Sequence, residues 1–244
     1  MTEWTDDDTS LFLRYGDAFV PRRREQIHVV RVLLHGLVSP QILDLGCGPG
    51  LLAAEILREH PSVKLTGVDA SDEMLAVARS HLAPFGERVR LIQSDLDSPA
   101  WQNGRYGAVV TSLAVHHLDD DGKRRLFQAV YSTLEPGGVF VQADLVRPAT
   151  PVATVLASDQ WNDAVEYQSS TLYGGTEASQ AFRKSCWNTF EHPDEVDKPA
   201  SLFDQLTWLA ETGFVDIDVI WVFAGHAIIT ATRPNGEQSE NLAR

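Results

Sequence analysis

The stretch Asp44-Leu45-Gly46-Cys47-Gly48-Pro49-Gly50 decides the fold, because it joins two segments of different periodicity. Residues 41–45 are predicted to form a short buried strand, and residues 51–60 are predicted to form a helix. Glycines at such a turn let the backbone bend sharply and let a ligand lie against the main chain with no Cβ in the way. In an open α/β sheet the turn lies at the carboxyl end of a strand, where ligands bind. The stretch therefore predicts a ligand site.

The spacing of the three glycines differs from that of a dinucleotide site. Dinucleotide-binding turns follow the pattern G-x-G-x-x-G, so that a pyrophosphate rests on the helix N-terminus. Here the third glycine comes one residue early, and Leu51 occupies the place of the expected glycine. Asp44 also puts a negative charge directly before the turn, which is unfavourable for a phosphate and favourable for an ammonium group. The turn therefore favours a cationic ligand.

Strands and helices alternate on both sides of the turn. Because strands that alternate with helices form a parallel sheet wrapped on both faces, the pattern predicts a doubly wound α/β domain. Two closing strands are separated only by Ala224-Gly225, so they must run antiparallel and make the sheet mixed. Besides the first strand, strands are predicted over residues 64–69, 89–93, 107–113, 139–143, 215–223 and 226–232. The helix predicted over 123–134 is expected to end at Pro136-Gly137-Gly138, and Ser71 is expected to cap the helix after the second strand.

The chain is predicted to form one domain over residues 1–244. Two N-terminal helices, over 9–20 and from Pro21 to Gly36, are expected before the sheet. An insert breaks the alternation with helices around 151–166 and 177–190, and an amphipathic helix over 201–212 follows it. The predicted parts are an N-terminal helical segment (1–38), a core (39–146), a helical cap (147–200), a closing helix and hairpin (201–233) and a frayed polar tail (234–244).

Acidic residues follow the next two predicted strands after the glycine turn. Asp69 ends the first of them, about 20 residues past the turn, where a carboxylate can accept hydrogen bonds from both ribose hydroxyls. Ser94-Asp95-Leu96 follows the second, and its carboxylate can accept a hydrogen bond from an adenine amino group. Together the three strand ends indicate an adenosine that carries a cationic, amine-containing tail rather than phosphates.

This constellation resembles the class I S-adenosylmethionine-dependent methyltransferases over residues 41–146. The resemblance implies a Rossmann-like seven-stranded sheet of order 3-2-1-4-5-7-6, with the last strand antiparallel, and S-adenosylmethionine as cofactor, with S-adenosylhomocysteine as product. It implies that the glycine turn holds the methionine portion, that Asp69 binds the ribose and that Asp95 binds the adenine. The cofactor-binding residues that it implies are Asp44, Gly46, Cys47, Gly48, Gly50, Asp69, Ala70, Met74, Ser94, Asp95, Leu96, Ser112 and Leu113.

The same resemblance implies that the N-terminal helices act as a lid. We therefore expect Tyr15 or Arg22 to contact the methionine carboxylate. Methyl transfer needs an acceptor atom aligned with the methyl group, and a hydroxyl or ammonium acceptor must also lose a proton. His116 and His117 follow the fourth strand and are candidate bases. Asp144 ends the fifth strand and is another candidate base or an amine-binding group.

Other candidates receive a structural interpretation. His226 is predicted to lie far from the site in the last hairpin, and Cys186 is predicted to lie in the core. No H-x-x-x-H or comparable spacing indicates a metal ion, so none is predicted. Aromatic residues of the insert fit a hydrophobic pocket for a small organic acceptor, although most of them are expected to pack the cap against the sheet. These residues are Trp161, Tyr167, Tyr173, Phe182, Trp187 and Phe190.

Composition limits the partners and the compartment. The chain has 244 residues, and 20 Lys and Arg against 34 Asp and Glu give a formal net charge of −14. This acidity argues against a nucleic acid or an anionic membrane as the partner. Two cysteines, an acidic N-terminus and the lack of an apolar run of about 18 residues predict a cytoplasmic protein, monomeric or homodimeric.

Two alternatives to a methyltransferase acting on O or N of a small molecule stay open. An NAD(P)-dependent oxidoreductase shares the strand alternation and Asp69, but the short glycine spacing and the acid at the third strand end speak against it. A non-catalytic protein that binds S-adenosylmethionine would keep the same turn. A melting shift with NAD and none with S-adenosylmethionine would indicate the oxidoreductase. Release of S-adenosylhomocysteine with a panel of acceptors would distinguish a methyltransferase from the non-catalytic binder.

Overall fold

The computed structural model describes residues 5–235 and has one seven-stranded sheet of order β3-β2-β1-β4-β5-β7-β6. Strands β1 to β5 are parallel, whereas β7 runs antiparallel to both β5 and β6. The predicted strand order and mixed sheet are confirmed. The strands are β1 (Gln41–Leu45), β2 (Lys64–Asp69), β3 (Val89–Gln93), β4 (Tyr106–Ser112), β5 (Leu134–Leu145), β6 (Val215–Phe223) and β7 (His226–Thr232).

Helices cover both faces of the sheet, and for this reason the central strands are apolar on both sides. In β1, four of the five residues are buried, and β4 is buried along nearly its whole length. The described helices are α1 (Asp6–Phe19), α2 (Arg23–Leu33), α3 (Leu51–Glu59), α4 (Asp72–Leu82), α5 (Asp120–Thr133), α6 (Pro151–Tyr173), α7 (Glu177–Lys184) and α8 (Leu202–Thr212). Helix α4 begins as predicted, because the Ser71 hydroxyl accepts a hydrogen bond from the Met74 amide. Among the described residues, no helix is both long and apolar enough to cross a membrane.

Two predicted boundaries are wrong. Helix α5 ends at Thr133, and β5 already begins at Leu134 and continues through Pro136-Gly137-Gly138. The turn residues fit inside a strand because Gly137 takes φ +78° and its amide donates to the carbonyl of Arg233, while the Arg233 amide donates to Gly138.

The second wrong boundary lies in the insert. The helix predicted over 177–190 ends at Lys184, and Cys186 follows with φ +55°. A left-handed residue cannot continue a right-handed helix, so the rest of the segment is irregular. Helix α6 is instead longer than predicted and ends only at Tyr173, where Gly174 caps it with φ +73°.

Helix α1 packs against α6 and α7, and we call these three helices the helical cover. Phe19 lies at its centre and packs its ring against Phe182 and Trp187. The indole of Trp161 donates to the Phe19 carbonyl at 2.7 Å, and the Gln168 side chain donates to carbonyls at the end of α1. Helix α2 packs against α3 and the sheet instead. The predicted frayed tail begins at residue 234, and residues 236–244 of it lie outside the described residues.

Candidate functional site

A cavity of about 600 Å³ lies between the carboxyl ends of the parallel strands and the helical cover. Most of the residues predicted to bind cofactor or to act in catalysis line it: Gly46, Cys47, Gly48, Asp69, Ala70, Met74, Asp95, Leu96, Ser112, Leu113, His116 and His117. The predicted site residues that are not part of its lining are Asp44, Gly50, Ser94, Asp144, Tyr15 and Arg22. The sheet therefore brings three strand ends together around one space.

The glycine turn presents bare backbone to this cavity. Gly46 takes φ +69°, and a Cβ there would lie 2.3 Å from the Cβ of Ala114. Gly48 takes φ +52°, and a Cβ added there would have no protein atom within 4 Å. A side chain at this position would therefore occupy the cavity itself. Gly50 begins α3 in the left-handed region and packs against Leu82. Each glycine is thus required for a different reason: close packing, access, or helix entry.

Asp69 fixes the turn from the end of β2. One of its carboxylate oxygens accepts a hydrogen bond from the Gly48 amide at 2.7 Å, and the other accepts one from the Ser71 amide at 2.9 Å. Burial raises the pKa of the Asp69 carboxyl, while the hydrogen bonds from the backbone amides oppose that shift. A carboxylate has about four lone-pair sites, so Asp69 can still accept a hydrogen bond from a ligand in the cavity in addition to those from Gly48, Ala70 and Ser71.

Asp44 is a buried carboxyl behind the glycine turn. It is 1% exposed, and its Oδ2 atom has no hydrogen-bond partner among the described residues. Burial, with a smaller contribution from the negative charge of Asp69, raises the pKa of Asp44 to about 7. A buried acceptor without a partner costs free energy unless a ligand supplies the missing donor. Asp44 Oδ2 is therefore a candidate acceptor for a cationic group of a ligand that lies against the glycine turn.

Arg23, rather than Arg22, reaches the cavity. The backbone at Arg22 takes φ +51°, which turns that side chain outward, where its guanidinium stacks 3.9 Å from the ring centre of Phe223. Arg23 is buried, lines the cavity and donates to the Ser112 hydroxyl at 2.7 Å. Tyr15 is buried against Phe19 and Tyr173 within the helical cover.

Asp144 organises the turn that carries the two candidate histidines. Its Oδ2 accepts hydrogen bonds from the backbone amides of Ala114, Val115 and His116, at 3.3, 2.7 and 3.3 Å. Its Oδ1 accepts a short hydrogen bond from His116 Nδ1 and another from the Leu145 amide. The interaction with His116 keeps the pKa of Asp144 below its usual value despite burial. Asp144 is therefore occupied by these donors and acts as a positioning residue, which corrects its prediction as a base.

Asp197 is a residue that the sequence analysis missed. It lies in the irregular segment after α7, and its Oδ1 is 3.4 Å from His116 Nε2 and 3.3 Å from His117 Nδ1. The two carboxylates that flank His116 outweigh its burial and raise its pKa to about 10. Both histidines also lower the pKa of Asp197. His116 is therefore not a free base in this arrangement.

His226 also lines the cavity, so the prediction that it lies far from the site is wrong. It is the first residue of β7, which pairs antiparallel with the carboxyl end of β5 at Leu145. The Ala224 carbonyl can only accept a hydrogen bond, so the contact at 2.8 Å places a proton on His226 Nδ1 and leaves Nε2 as an acceptor. Nε2 has no partner among the described residues, and burial lowers the pKa of His226 to about 4.

Both cysteines are unpaired thiols at the cavity. Burial and two nearby carboxylates raise the pKa of the Cys47 thiol, so it stays protonated and inert. Cys186 is exposed rather than in the core, because its left-handed backbone ends α7 at the cavity edge.

Comparisons with known proteins agree with this geometry. A family model described as a methyltransferase domain matches residues 42–138. The ubiquinone biosynthesis O-methyltransferase of Cronobacter sakazakii is 36% identical over 115 residues, which are 47% of this chain and 46% of that protein. The carboxy-S-adenosyl-L-methionine synthase of Nautilia profundicola is 22% identical over 231 residues, which are 94% of this chain and 93% of that protein.

Among solved structures, an O-methyltransferase family protein from Burkholderia thailandensis superposes with a TM-score of 0.65 at 16% identity. That superposition covers 87% of this chain and 56% of the other chain, and at this identity it shows a shared fold. The match to the Cronobacter enzyme likewise spans about half of each protein. The family-model match over residues 42–138 includes the glycine turn and the strand ends around the cavity.

Proposed function

We propose that this chain is a class I S-adenosylmethionine-dependent methyltransferase, which transfers a methyl group from S-adenosylmethionine to an oxygen or nitrogen atom of a small organic molecule. The match of residues 42–138 to a methyltransferase-domain model supports this proposal. The observation that carries this proposal is the buried Asp44 oxygen without a partner, which lies behind a glycine turn that offers only backbone. A phosphate would be repelled there, whereas an ammonium group supplies the missing donor.

The remaining strand ends fit the rest of the cofactor. Asp69 keeps acceptor capacity for the ribose hydroxyls besides its backbone hydrogen bonds, and Asp95 lines the cavity where an adenine amino group would lie. Ala70, Met74 and Leu96 provide apolar surface for the adenine ring. Arg23 supplies a buried guanidinium for the methionine carboxylate, a role that the sequence analysis gave to Arg22 or Tyr15.

The bound cofactor supplies an electrophilic methyl group on a sulfonium. The protein then has to hold the acceptor atom about 3 Å from the methyl carbon and in line with the bond that breaks. His226 Nε2 can only accept a hydrogen bond, so it favours an acceptor that presents an O–H or N–H group. Trp161 and Trp187 of the cover line the same cavity and give it apolar walls suited to an organic molecule.

Charge and thiol state support the proposed partners and location. A formal net charge of −14 disfavours a nucleic acid acceptor. The two cysteines are unpaired, as in a reducing compartment, which supports a cytoplasmic enzyme. The proposed partner is thus a small-molecule methyl acceptor, bound by a monomer or homodimer.

Cofactor affinity is expected to rise with pH. The folded protein holds a proton on Asp44 up to about pH 7, and a cationic group binds only to the ionised form. Calorimetry with S-adenosylmethionine between pH 5.5 and 7.5 should show the dissociation constant falling about tenfold per unit at the acidic end and levelling near pH 7. Asp44→Asn should bind more weakly and lose this dependence. The same slope in the variant would show that Asp44 is not the group responsible.

The same raised pKa has a consequence for stability without ligand. Since the native state binds a proton more tightly than the unfolded chain, Asp44 makes the ligand-free protein less stable as pH rises from about 4 to 7. Urea unfolding should detect this as a loss of unfolding free energy in the native protein that Asp44→Asn does not share. An equal loss in both proteins would contradict it.

Arg23→Gln is expected to weaken S-adenosylmethionine binding by about 10- to 100-fold, because hydrogen bonds to a charged group contribute about 1.5–3 kcal/mol. Arg22→Gln is the matched control, since that side chain stacks on Phe223 outside the cavity. Decarboxylated S-adenosylmethionine should bind Arg23→Gln and the native protein nearly equally. Equal losses with both cofactors would contradict a contact to the carboxylate.

The proposed activity is tested by release of S-adenosylhomocysteine across a panel of phenols, hydroxy acids and amines, with mass spectrometry of the products. A methylated acceptor formed in step with S-adenosylhomocysteine supports the proposal. Binding without turnover supports a non-catalytic binder, and a melting shift with NAD alone supports an oxidoreductase. A cofactor that gains a carboxyl group would instead match the activity named for the Nautilia relative.

A further inference from the structure

Two imidazoles and one carboxylate converge at the wall of the cavity. One ligand atom each of His116, His117 and Asp197 lie within 4.8 Å of one another, and all three residues line the cavity. Their side chains are 6%, 32% and 18% exposed, so the group is largely removed from water. The segments that carry them are 79 residues or more apart in the chain, and the fold brings them together.

The distances within this cluster are longer than those of strong charge-assisted hydrogen bonds. Asp197 Oδ1 is 3.4 Å from His116 Nε2 and 3.3 Å from His117 Nδ1, whereas charge-assisted hydrogen bonds are about 2.7–2.9 Å long. Ligand bonds of about 2.0–2.1 Å to a tetrahedral zinc ion place neighbouring ligand atoms about 3.3–3.4 Å apart. Both distances match the spacing of two ligand atoms around one zinc ion, and the remaining pair of ligand atoms lies within 4.8 Å.

The hydrogen bond on the far side of His116 orients the ring for such a role. Its Nδ1 donates to Asp144 Oδ1, which directs Nε2 towards Asp197. A histidine that binds a metal usually donates its other ring nitrogen to a carboxylate in this way, which fixes the tautomer. Without a metal, the proton on His116 Nε2 faces Asp197 Oδ1, and a metal ion would replace this proton between the same two atoms.

Asp197 is held in place by its neighbours rather than extending from a loose loop. The Asp194 carboxylate accepts the amides of Val196 and Asp197 at 2.8 and 2.9 Å. The Lys198 amide donates to the His116 carbonyl at 2.7 Å, which ties this segment to the histidine turn. Lys123 Nζ adds a hydrogen bond to the Lys198 carbonyl at 2.6 Å. A preorganised ligand set of this kind binds metal more tightly than a mobile one.

We propose that His116, His117 and Asp197 bind one divalent transition-metal ion, such as Zn²⁺, through two nitrogens and one oxygen, with a coordination position open to the cavity. Two imidazoles and a carboxylate suit such an ion, and three protein ligands leave a place for an exogenous oxygen. This inference rests on the proposed function in one respect: the open position would take a hydroxyl oxygen of the methyl acceptor, which narrows the acceptor class to oxygen compounds.

Metal binding is measured first without cofactor or acceptor. The full chain is stripped with a chelator and dialysed, and ZnCl₂ is then titrated in a calorimeter at fixed pH. We expect one equivalent to bind with a micromolar or lower dissociation constant. Co²⁺ in place of Zn²⁺ should give the visible d–d absorption of a four- or five-coordinate site, a signature that a merely structural histidine pair would not produce.

Variants assign the ligands. Asp197→Asn and His117→Gln should each weaken Zn²⁺ binding at least tenfold and diminish the cobalt spectrum, while circular dichroism checks that both variants fold. His192→Ala is the matched control, because it removes a histidine paired with Glu191 at 3.8 Å on the surface. Stoichiometry and affinity should stay unchanged in this control. Lack of stoichiometric Zn²⁺ binding by the native chain, or binding that persists in both ligand variants, would overturn the proposal.

The same samples separate this inference from the proposed function. Titration with S-adenosylmethionine reports on the cofactor site, which lies on other residues. Zn²⁺ binding without a response to S-adenosylmethionine would support the metal site and contradict the proposed methyltransferase function. A response to S-adenosylmethionine without Zn²⁺ binding would support the proposed function and contradict the metal site. A proton, not a metal ion, would then lie between His116 and Asp197.

Discussion

Replacing Asp69 by alanine is expected to abolish the rise in melting temperature that S-adenosylmethionine causes in the native protein. The change removes the acceptors proposed for both ribose hydroxyls, and it also removes the hydrogen bonds from Gly48 and Ser71 that shape the turn. Two lost hydrogen bonds to a charged group at about 1.5–3 kcal/mol each correspond to at least a hundredfold weaker binding. Thermal denaturation with submillimolar cofactor measures this directly.

Asp72→Ala is the control for Asp69, since it removes an exposed carboxylate three residues further along, in the first turn of α4. This variant should keep the full shift. A normal shift in Asp69→Ala would mean that the ribose lies elsewhere, and the assignment of the three strand ends would fail with it.

Asp144→Ala is expected to cause the largest loss of stability, about 3–5 kcal/mol. Removing one partner of a buried charged pair leaves the other uncompensated, and here three backbone amides of the 114–116 turn lose their acceptor as well. Urea unfolding should show a lower midpoint with a similar m value. The histidine turn should also lose its shape, so transfer activity should fall even where the variant remains folded.

Asp163→Ala on the exposed side of α6 provides the comparison, with an expected change within about 0.5 kcal/mol. A loss below about 1 kcal/mol in Asp144→Ala would indicate that water replaces the missing acceptor. The role assigned to Asp144 as the organiser of this turn would then be wrong.

Much of the fold follows from local patterns. The glycine turn and the alternation of strands and helices place Asp69 and Asp95 at one sheet edge, because parallel strands end on the same side. The position of His226 follows from the same rule once the direction of β7 is considered. An antiparallel strand begins where its parallel neighbours end, so the first residue of β7 had to lie at this edge too.

The parts that the sequence analysis missed depend on single backbone angles or on distant segments. Arg22 and Arg23 are adjacent in the chain, and only the left-handed backbone at Arg22 decides which of them faces the cavity. Asp197 joins the histidines across 79 residues or more through an irregular segment with no periodicity to read. A single backbone angle determines the first placement, and long-range packing determines the second.

The helical cover has a consequence for changing what the protein accepts. Phe19, Trp161 and Gln168 join α1 to the insert through shared hydrogen bonds and ring contacts, although more than 140 residues separate them. Chimeras with a related enzyme should therefore exchange residues 5–20 and 151–190 as a pair. Grafting either piece alone would set two unmatched aromatic surfaces against each other, whereas the paired graft brings its own binding walls and leaves the glycine turn undisturbed.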